Sequence, residues 1–341
     1  MTGAVTTPAP PRMSADGMAI VTRDLRKRYG PRIALNGLDL NVPLGQVYGF
    51  LGPNGSGKTT TLRVLVGLIR PDAGRIAVLG TPFSWRDRRR MFRIGSLIES
   101  PTFYPYLSGR ENLQVFAAAG PPTPRTRVEE VLDAVGMHDR ANDKVKTYSL
   151  GMRQRLGIAG ALLSDPELLL LDEPANGLDP AGIVAMRALL RTLTSSGKTV
   201  VVSSHILSEV QLLADVVGII NHGRLVREGP LDRLLAEGTH IRVGVPLAQV
   251  QQAAAILAAY APVEVAPADS LGGGRLIVRA GRERAADINQ LLAHQGIWVS
   301  ALEPTSDLEG VFLSLTSGAA PPAGPQGPPT GWGMAPPGDV G

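Results

Sequence analysis

Residues 52–59 form the clearest chemical signal in the sequence, because they match the phosphate-binding pattern G-x-x-x-x-G-K-[ST]. The glycines let successive backbone N–H groups turn towards phosphate oxygens, and Lys58 can reach the β and γ phosphates. Thr59 would place its hydroxyl on a Mg²⁺ ion. The residues that we expect to contact the nucleotide are Gly52, Pro53, Asn54, Gly55, Ser56, Gly57, Lys58, Thr59 and Thr60. The segment therefore predicts nucleotide binding.

Two carboxylates that follow an apolar segment further along the chain add to this chemistry. Residues 168–171 are four leucines, and Asp172 and Glu173 come directly after them. Adjacent residues at a strand end point in different directions, so the two side chains cannot perform the same task. Asp172 suits the coordination shell of Mg²⁺, and Glu173 suits a general base or a group that orients water beside the γ-phosphate. Together with the loop, the pair predicts hydrolysis of the nucleotide.

A strand, the loop and a helix must follow one another if these groups are to meet at one nucleotide. Apolar residues 47–51 predict a buried strand, and residues 59–68 predict the helix after the loop. Residues 168–171, 199–203 and 216–220 predict further strands separated by helices, which is the alternation of a mostly parallel sheet. Because ligands bind at the carboxyl ends of such strands, we expect the site at that edge.

Length and composition indicate a nucleotide-binding domain with an accessory unit. The chain has 341 residues, and 44% of them are hydrophobic, which is ample for a buried core. The absence of cysteine excludes disulfides and thiolate metal sites and fits a reducing cytosol. We find no signal peptide and no apolar run of about eighteen residues, so we expect a soluble or peripheral protein. The net charge of +4 is modest and the basic run at 86–93 is typical of a solvated helix face, so no nucleic acid is expected.

The sequence pattern divides the chain into two folded units between two tails. Alternating apolar residues at 19–42 predict antiparallel strands before the loop, and helical periodicity dominates about 100–163. Further on, the order β-α-β-β-α-β predicts a small ferredoxin-like domain with its last strand at 298–302 and a closing helix over 303–315. The predicted units are a disordered tail (1–17), a nucleotide-binding domain (18–235), an α+β accessory domain (238–317) and a disordered tail rich in Pro and Gly (318–341).

A nine-residue segment that begins at Tyr148 resembles the signature of ATP-binding cassette (ABC) transporters, LSGGQ-x-Q-R. The segment differs from the family pattern at Tyr148, Leu150 and Met152, and it keeps Ser149 and Gly151. In this family the hydroxyl and the backbone N–H at the two kept positions are expected to touch a γ-phosphate. We predict that a helix begins here with Ser149 as its N-cap, so that the helix dipole also points at the anion.

Further motifs in the family's order extend the resemblance from about Met18 to Gly229. Residues 176–179 resemble the D-loop, which ends at Asp179. His205 resembles the switch histidine, which would sense or polarise the γ-phosphate, and Tyr29 matches the aromatic residue expected to stack on adenine. The resemblance implies an α/β fold with a P-loop NTPase (RecA-like) core, an antiparallel β subdomain and a helical subdomain.

The resemblance also implies that one chain alone is an incomplete enzyme. In this family the signature of one chain completes the ATP site of another, so we expect a head-to-tail dimer that binds ATP and Mg²⁺. Ser149, Gly151 and Met152 would then face the partner's nucleotide. ATP binding would close the dimer, hydrolysis would release it, and this motion would drive a separately encoded integral membrane permease. We therefore expect a peripheral subunit at the cytoplasmic face of the cell membrane.

Glu99 is the departure from the family pattern that narrows the class of transporter. Many relatives have a glutamine that reaches towards Mg²⁺ and the membrane partner, and Glu99 takes its place here. A carboxylate adds charge near the metal, so we assign Glu99 to the Mg²⁺ shell with Thr59 and Asp172. The alternative is that Glu99 is merely exposed. Residues 103–113 are similar to bacitracin and lantibiotic immunity exporters, and residues 304–313 resemble drug-exporter subunits.

Two other functions remain as alternatives to an antibiotic, peptide or lipid exporter. An importer ATPase has the same catalytic residues, but the loop around Glu99 and the C-terminal segment favour export. A soluble ABC protein that acts on ribosomes or DNA is expected to contain two cassettes or a long coiled coil, and neither is visible in the sequence. The transported molecule is not indicated, because its contacts are expected to lie in the permease.

Overall fold

The computed structural model describes residues 17–83, 91–99, 102–237, 239–266, 273–306 and 308. The first element among these residues is an antiparallel sheet. Four strands form this sheet: β1 (Met18–Tyr29), β2 (Arg32–Pro43), β4 (Ala73–Val78) and β5 (Thr81–Pro82). Their order is β2-β1-β4-β5, and each neighbouring pair is antiparallel. The antiparallel strands predicted before the loop are therefore confirmed.

A six-stranded sheet forms the centre of the molecule. Its strands are β3 (Val47–Leu51), β6 (Ile94–Leu97), β7 (Leu168–Asp172), β8 (Thr199–Ser204), β9 (Val216–Asn221) and β10 (Arg224–Pro230). The order is β10-β9-β3-β8-β7-β6, in which only β10 is antiparallel to its neighbour. Every residue of β3, β7 and β8 is buried, as expected for continuous apolar runs in a parallel sheet that is covered on both faces. The predicted α/β alternation is confirmed.

Seven helices accompany these two sheets in the described residues. They are α1 (Lys58–Leu65), α2 (Gly109–Ala119), α3 (Arg127–Ala134), α4 (Leu150–Leu162), α5 (Pro180–Ser195), α6 (Leu207–Leu213) and α7 (Leu231–Glu237). Helices α2, α3 and α4 lie between β6 and β7, so the predicted helical segment is confirmed. A capping box between Ser108 and Glu111 defines the start of α2.

The helix after the phosphate loop is shorter than the sequence pattern predicts. The prediction extended to residue 68, whereas α1 ends at Leu65 with Val66 as its C-cap. Gly67 follows with a φ of 74°, a left-handed conformation that ends helices and that glycine adopts without steric cost. The glycine after the C-cap therefore ends the helix although the apolar periodicity continues beyond it.

A third sheet with two helices follows α7 and has its own core. The elements are β11 (Thr239–Val245), α8 (Val250–Ala258), β12 (Val263–Ala266), β13 (Gly274–Val278), α9 (Ala285–His294) and β14 (Ala301–Ser306). The strand order is β12-β13-β11-β14, and all pairs are antiparallel. Inward-facing Ile241, Val243 and Leu276 pack with Leu257 and Ile288 of the helices. The element order of the predicted accessory unit is therefore observed.

The end of this unit corrects two predictions. The last strand was placed at 298–302 and a closing helix at 303–315, but β14 covers Ala301–Ser306 and so occupies the start of the predicted helix. Gly296 ends α9 with a φ of 71°, which delays the strand. Pro304 is tolerated because β14 is an edge strand, where a missing N–H need not break the sheet.

Leu308 returns the chain to the nucleotide-binding part of the molecule. It is fully buried in an apolar cluster with Leu51 of β3, Val210 of α6 and Leu234 of α7. None of the helices in the described ranges is long and apolar enough to cross a bilayer. The predicted tails up to residue 16 and from 318, the basic residues at 86–90, and the rest of the predicted closing helix except Leu308 lie outside the described residues.

Candidate functional site

The loop between β3 and α1 is fixed by close backbone contacts with two neighbouring strands. The N–H of Gly52 donates to the carbonyl oxygen of Ser204, the last residue of β8, over 3.4 Å. A Cβ on Gly52 would lie 2.4 Å from the carbonyl oxygen of Ile220 in β9. Gly57 has a φ of 115°, a conformation that side chains rarely allow, and caps the start of α1. The sequence therefore needs glycine at both positions for the loop to reach this place.

Lys58 lies at the centre of the loop and is only 5% exposed. Its Nζ donates to the carbonyl oxygens of Gly52 at 2.7 Å and Pro53 at 3.3 Å, and lies 3.9 Å from Oε1 of Glu173. Burial lowers the pKa of Lys58, while the carboxylates of Glu173 and Asp172 act in the opposite direction. Its ammonium group is thus held between the loop and the acidic pair.

Ser203 holds the two acidic residues at the end of β7. It lies opposite Asp172 in the parallel pairing of β7 with β8, and its hydroxyl donates a short hydrogen bond to Oδ1 of Asp172. The N–H of Glu173 donates to the carbonyl oxygen of Ser203 at 3.1 Å and to its Oγ at 3.0 Å. Glu173 has a φ of 48°, so its backbone turns sharply where the strand ends. Asp172 and Glu173 therefore point in different directions, as the sequence indicated.

Glu173 is the point where groups from three segments meet. Its Oε2 lies 3.1 Å from Nδ1 of His205, which follows β8, and 3.4 Å from Nδ2 of Asn176. Its Oε1 faces Lys58. Nδ1 of His205 forms no hydrogen bond with the described residues, although it lies close to this carboxylate. One carboxylate therefore lies between a buried cation and a histidine, an arrangement that can hold and activate a water molecule.

The residues of the predicted signature and D-loop lie close together. Ser149 is the N-cap of α4 and accepts a hydrogen bond from the N–H of Met152 at 3.2 Å. A Cβ on Gly151 would lie 3.4 Å from Cδ2 of Leu178. Asp179 is the N-cap of α5 and accepts a hydrogen bond from Gly182 at 2.8 Å. Two helix N-termini are thus presented next to each other, and the side chain of Ser149 is exposed.

Tyr29 and Glu99 are the remaining predicted site residues, and neither contacts the acidic pair. Tyr29 ends β1, is 43% exposed, and has Nζ of Lys27 5.6 Å from its ring centroid. Glu99 lies two residues beyond β6, has a φ of 66°, and forms an ion pair with Arg63 of α1. Its carboxylate is therefore engaged by a cation on the helix that follows the loop. The next two residues of this segment lie outside the described residues.

The described residues do not form a metal site by themselves. No group of three or more His, Cys, Asp or Glu side chains in the described ranges could hold a metal ion. Thr59 and Asp172 could supply two oxygen ligands, and Mg²⁺ commonly takes one or two protein ligands together with substrate phosphates and water. Within the loop, the buried Oγ of Ser56 has no hydrogen-bond partner. These residues fit a metal ion that enters with the phosphates of a nucleotide.

Comparison with known proteins identifies the family. Residues 35–176 match the family model described as ABC transporter. The chain is 40% identical over 301 residues to the bacitracin transport ATP-binding protein BcrA of Bacillus licheniformis, and the match covers 88% of this chain and 97% of BcrA. The chain belongs to the ABC transporter family. The resemblance stated from the sequence motifs is therefore confirmed, and the chain is an ATP-binding subunit of this family.

Two further ABC proteins are also similar to this chain, one in sequence and one in structure. The lantibiotic transport ATP-binding protein SrtF of Streptococcus pyogenes is 43% identical over 210 residues, which cover 62% of this chain and 90% of SrtF. The ATP-binding cassette MJ0796, solved as a dimer in a post-hydrolysis state with ADP and Pi, is 26% identical with a TM-score of 0.56. It matches 62% of this chain, and the match covers 98% of the cassette. The ABC fold of the nucleotide-binding part follows from these similarities.

Ser203 is the site residue of this ABC subunit that sequence reasoning missed. Residues 199–203 were treated only as a buried strand, although a serine at a strand end is unusual inside a run of valines. The signal was available, because parallel strands end at the same edge and Ser203 follows Val202 as Asp172 follows Leu171. Arg63, the partner of Glu99, had no such signal because the two residues are distant in sequence.

Proposed function

We propose that the chain hydrolyses ATP and that this reaction drives export through a separately encoded membrane permease. The observation that supports this most directly is the carboxylate of Glu173, which lies between Lys58 and His205. A carboxylate in this position can accept a proton from water, while the nearby cation favours anionic phosphate. The bacitracin and lantibiotic names of the relatives support an antibiotic, peptide or lipid as the exported molecule.

The residues have separate roles in this proposal. The loop residues from Gly52 to Thr60 bind the phosphates, Tyr29 stacks on adenine, and Glu173 and His205 act on water and the γ-phosphate. Thr59, Asp172 and Glu99 would hold Mg²⁺, which would neutralise charge on the phosphate oxygens when it is bound. The buried Oγ of Ser56, which lacks a partner, supports a ligand that fills the loop.

We further propose that two copies act as a head-to-tail dimer. Ser149, Gly151, Met152 and Asp179 lie at two adjacent helix N-termini, where partial positive charge suits a phosphate of the partner chain. The dimeric state of MJ0796 supports this assembly. The subunit would lie at the cytoplasmic face of the membrane, bound to its permease.

The third sheet forms, in this proposal, a ferredoxin-like accessory domain. Its element order and its antiparallel strand order β12-β13-β11-β14 agree with the predicted β-α-β-β-α-β unit. Its separate apolar core supports the proposed domains at 18–235 and 238–317. No described residue in it belongs to the site around Glu173.

Glu173→Gln tests the catalytic assignment. The amide keeps the shape of the side chain but cannot accept the proton, so we expect retained ATP binding and turnover reduced by about a hundredfold or more. Nucleotide titration and phosphate release by the subunit with its permease measure these quantities. Glu167→Gln is the matched control, because Glu167 pairs with Arg93 at the surface and should turn over normally. Normal turnover by Glu173→Gln would refute the assignment.

A further inference from the structure

A buried serine and a buried glutamate enclose the turn that contains His205. Ser204 is the last residue of β8 and is 3% exposed, and Glu209 lies in α6 and is 9% exposed. The hydroxyl of Ser204 donates to Oε2 of Glu209 over 3.0 Å. The proposed reaction makes no use of either side chain, so their burial needs a separate explanation.

The hydroxyl of Ser204 also controls the backbone on the other side of His205. It accepts a hydrogen bond from the N–H of Ile206 at 2.9 Å. The same oxygen therefore connects Glu209 with the residues on both sides of His205. The distance from Oγ of Ser204 to the carbonyl oxygen of Ile206 is longer, at 3.3 Å. The single hydroxyl proton of Ser204 therefore forms the better hydrogen bond with Glu209.

Ser204 is itself fixed to the phosphate loop. It lies opposite Leu51 in the parallel pairing of β3 with β8, and its carbonyl oxygen accepts from the N–H of Gly52. The backbone of Ser204 is therefore held by β3 whether or not its hydroxyl has a partner. The contact with Glu209 restrains the side chain of Ser204 and, with it, the turn that contains His205.

The burial of Glu209 is costly unless its geometry serves a purpose. A carboxylate taken from water needs hydrogen bonds in exchange, and an apolar residue often fills such a position at lower cost. The next residue, Val210, is buried in the apolar cluster that also contains Leu51. Leu213, one turn further along α6, is buried in a second apolar cluster. Glu209 thus places a polar carboxyl group beside apolar surroundings, where it accepts a hydrogen bond from Ser204.

We propose that Glu209 is a positioning residue for His205. Through Ser204 it holds the turn so that Nδ1 of His205 lies 3.1 Å from Glu173. This inference rests on the proposed ATP hydrolysis, and it assigns the second carboxylate a role in orientation rather than in proton transfer. Glu209→Ala should release the turn, whereas Glu209→Gln keeps an oxygen that can accept from Ser204.

Steady-state ATP hydrolysis by the full chain with its permease tests the proposal. We expect Glu209→Ala and Ser204→Ala each to lower kcat by about tenfold with little change in KM, as for loss of a hydrogen bond to a charged group. Glu209→Gln should restore most of the activity. In a His205→Ala background, Glu209→Ala should cause no further loss, because its effect acts through His205.

Glu228→Ala is the matched control for general loss of structure. Glu228 accepts hydrogen bonds from Tyr48 and Asn41, which lie away from the turn that contains His205. Any activity that Glu228→Ala loses should therefore also be lost in the His205→Ala background. Equal losses from Glu209→Ala in both backgrounds would overturn the proposal, as would an unchanged kcat in the folded variant. Absence of ATP hydrolysis by the wild-type complex would instead refute the proposed function and the inference with it.

Histidine-selective NMR of the full chain provides a second measurement that does not depend on activity. The sequence has five histidines, and the His205→Ala spectrum identifies the ring signals of His205. We expect Glu209→Ala to shift these signals, Glu209→Gln to shift them less, and Glu228→Ala to leave them in place. Unshifted His205 signals in Glu209→Ala would overturn the proposal even if the His205→Ala enzyme is too slow for the kinetic comparison.

Discussion

At the scale of single residues, Glu173 connects groups from three segments through one carboxylate. The two oxygens of its carboxylate face Lys58 and His205, and its backbone N–H donates to Oγ of Ser203. The positive φ of Glu173 is uncommon for a residue with a side chain and persists because these neighbours hold it. The chemistry proposed for Glu173 therefore depends on geometry that its own sequence neighbours do not determine.

Lys58→Ala should weaken nucleotide binding directly. The ammonium group is buried among loop carbonyls, and its loss removes a charge-assisted contact with phosphate that is worth about 1.5–3 kcal/mol, or roughly ten- to a hundredfold in affinity. Titration with a fluorescent nucleotide measures the change. Lys146→Ala, at an exposed lysine beside Tyr106, should bind as the wild type does. Equal affinities of the two variants would contradict the role of Lys58.

Glu99→Gln should alter coupling without altering stability. Glu99 is 62% exposed and pairs with Arg63, and an exposed ion pair contributes only about 0–1 kcal/mol. We propose that this carboxylate links Mg²⁺ occupancy to the permease interface, so permease-stimulated ATP hydrolysis and transport should both change while the thermal unfolding midpoint does not. Unchanged hydrolysis and transport in Glu99→Gln would refute the proposal.

At the scale of elements, α4 and α5 present capped N-termini on one surface. Leu178 approaches Gly151, and a Cβ on Gly177 would lie 2.7 Å from Cδ2 of Leu150, so the segments predicted to be the signature and the D-loop pack directly against each other. Movement of one helix start would therefore move the other. This packing suits the proposed head-to-tail dimer, in which the two helix starts would close on the partner as a unit.

A mixture of two inactive variants tests whether Ser149 acts on the partner's nucleotide. Lys58→Ala and Ser149→Ala should each hydrolyse ATP poorly alone, but a mixed head-to-tail dimer contains one site with an intact loop and an intact signature. We expect mixing to restore part of the ATP hydrolysis by the subunit with its permease. A mixture that remains inactive would contradict action between chains.

Ser108→Ala controls for the loss of a helix cap in this experiment. Ser108 caps α2 as Ser149 caps α4, and removal of either cap should cost about 0.5–2 kcal/mol of stability. Only Ser149→Ala should also lower ATP hydrolysis. A similar loss of hydrolysis in Ser108→Ala would show that destabilisation explains the effect.

At the scale of the whole molecule, the segment after β14 joins the accessory unit to the nucleotide-binding part. Leu308 is buried with Leu51, which precedes the phosphate loop, and with Val210, which lies in the helix after His205. The third sheet is therefore connected to the nucleotide-binding part by the chain that follows α7 and, among the described residues, also by the packing of Leu308. Changes in either unit can reach the other along this contact.

Leu308→Ala should destabilise the protein by about 2–5 kcal/mol, because it removes a fully buried leucine from the cluster around Leu51. The thermal or denaturant unfolding transition of the full chain measures the loss. Leu247→Ala is the control, since Leu247 belongs to the same accessory unit but is mostly exposed and should change stability little. Equal stability of the two variants would show that Leu308 contributes no packing energy.

The sequence alone determined the features that depend on local spacing. Four leucines before Asp172 indicated a buried strand with acidic residues at its end, and the loop before Lys58 indicated a phosphate site at the start of a helix. Both signals lie within a few residues of the groups they position. The apolar runs of a buried parallel sheet and the glycines of a tight loop leave few alternatives, so these predictions were sound.

Only the tertiary structure decided which distant residues meet. Ser203 reaches Asp172 because β7 and β8 pair in one register, and Arg63 reaches Glu99 because α1 lies beside the end of β6. Likewise, β14 replaces the start of a predicted helix because β11 offers it an edge to pair with. Strand register and helix packing depend on contacts between segments far apart in the chain, and local residue spacing contains little information about them.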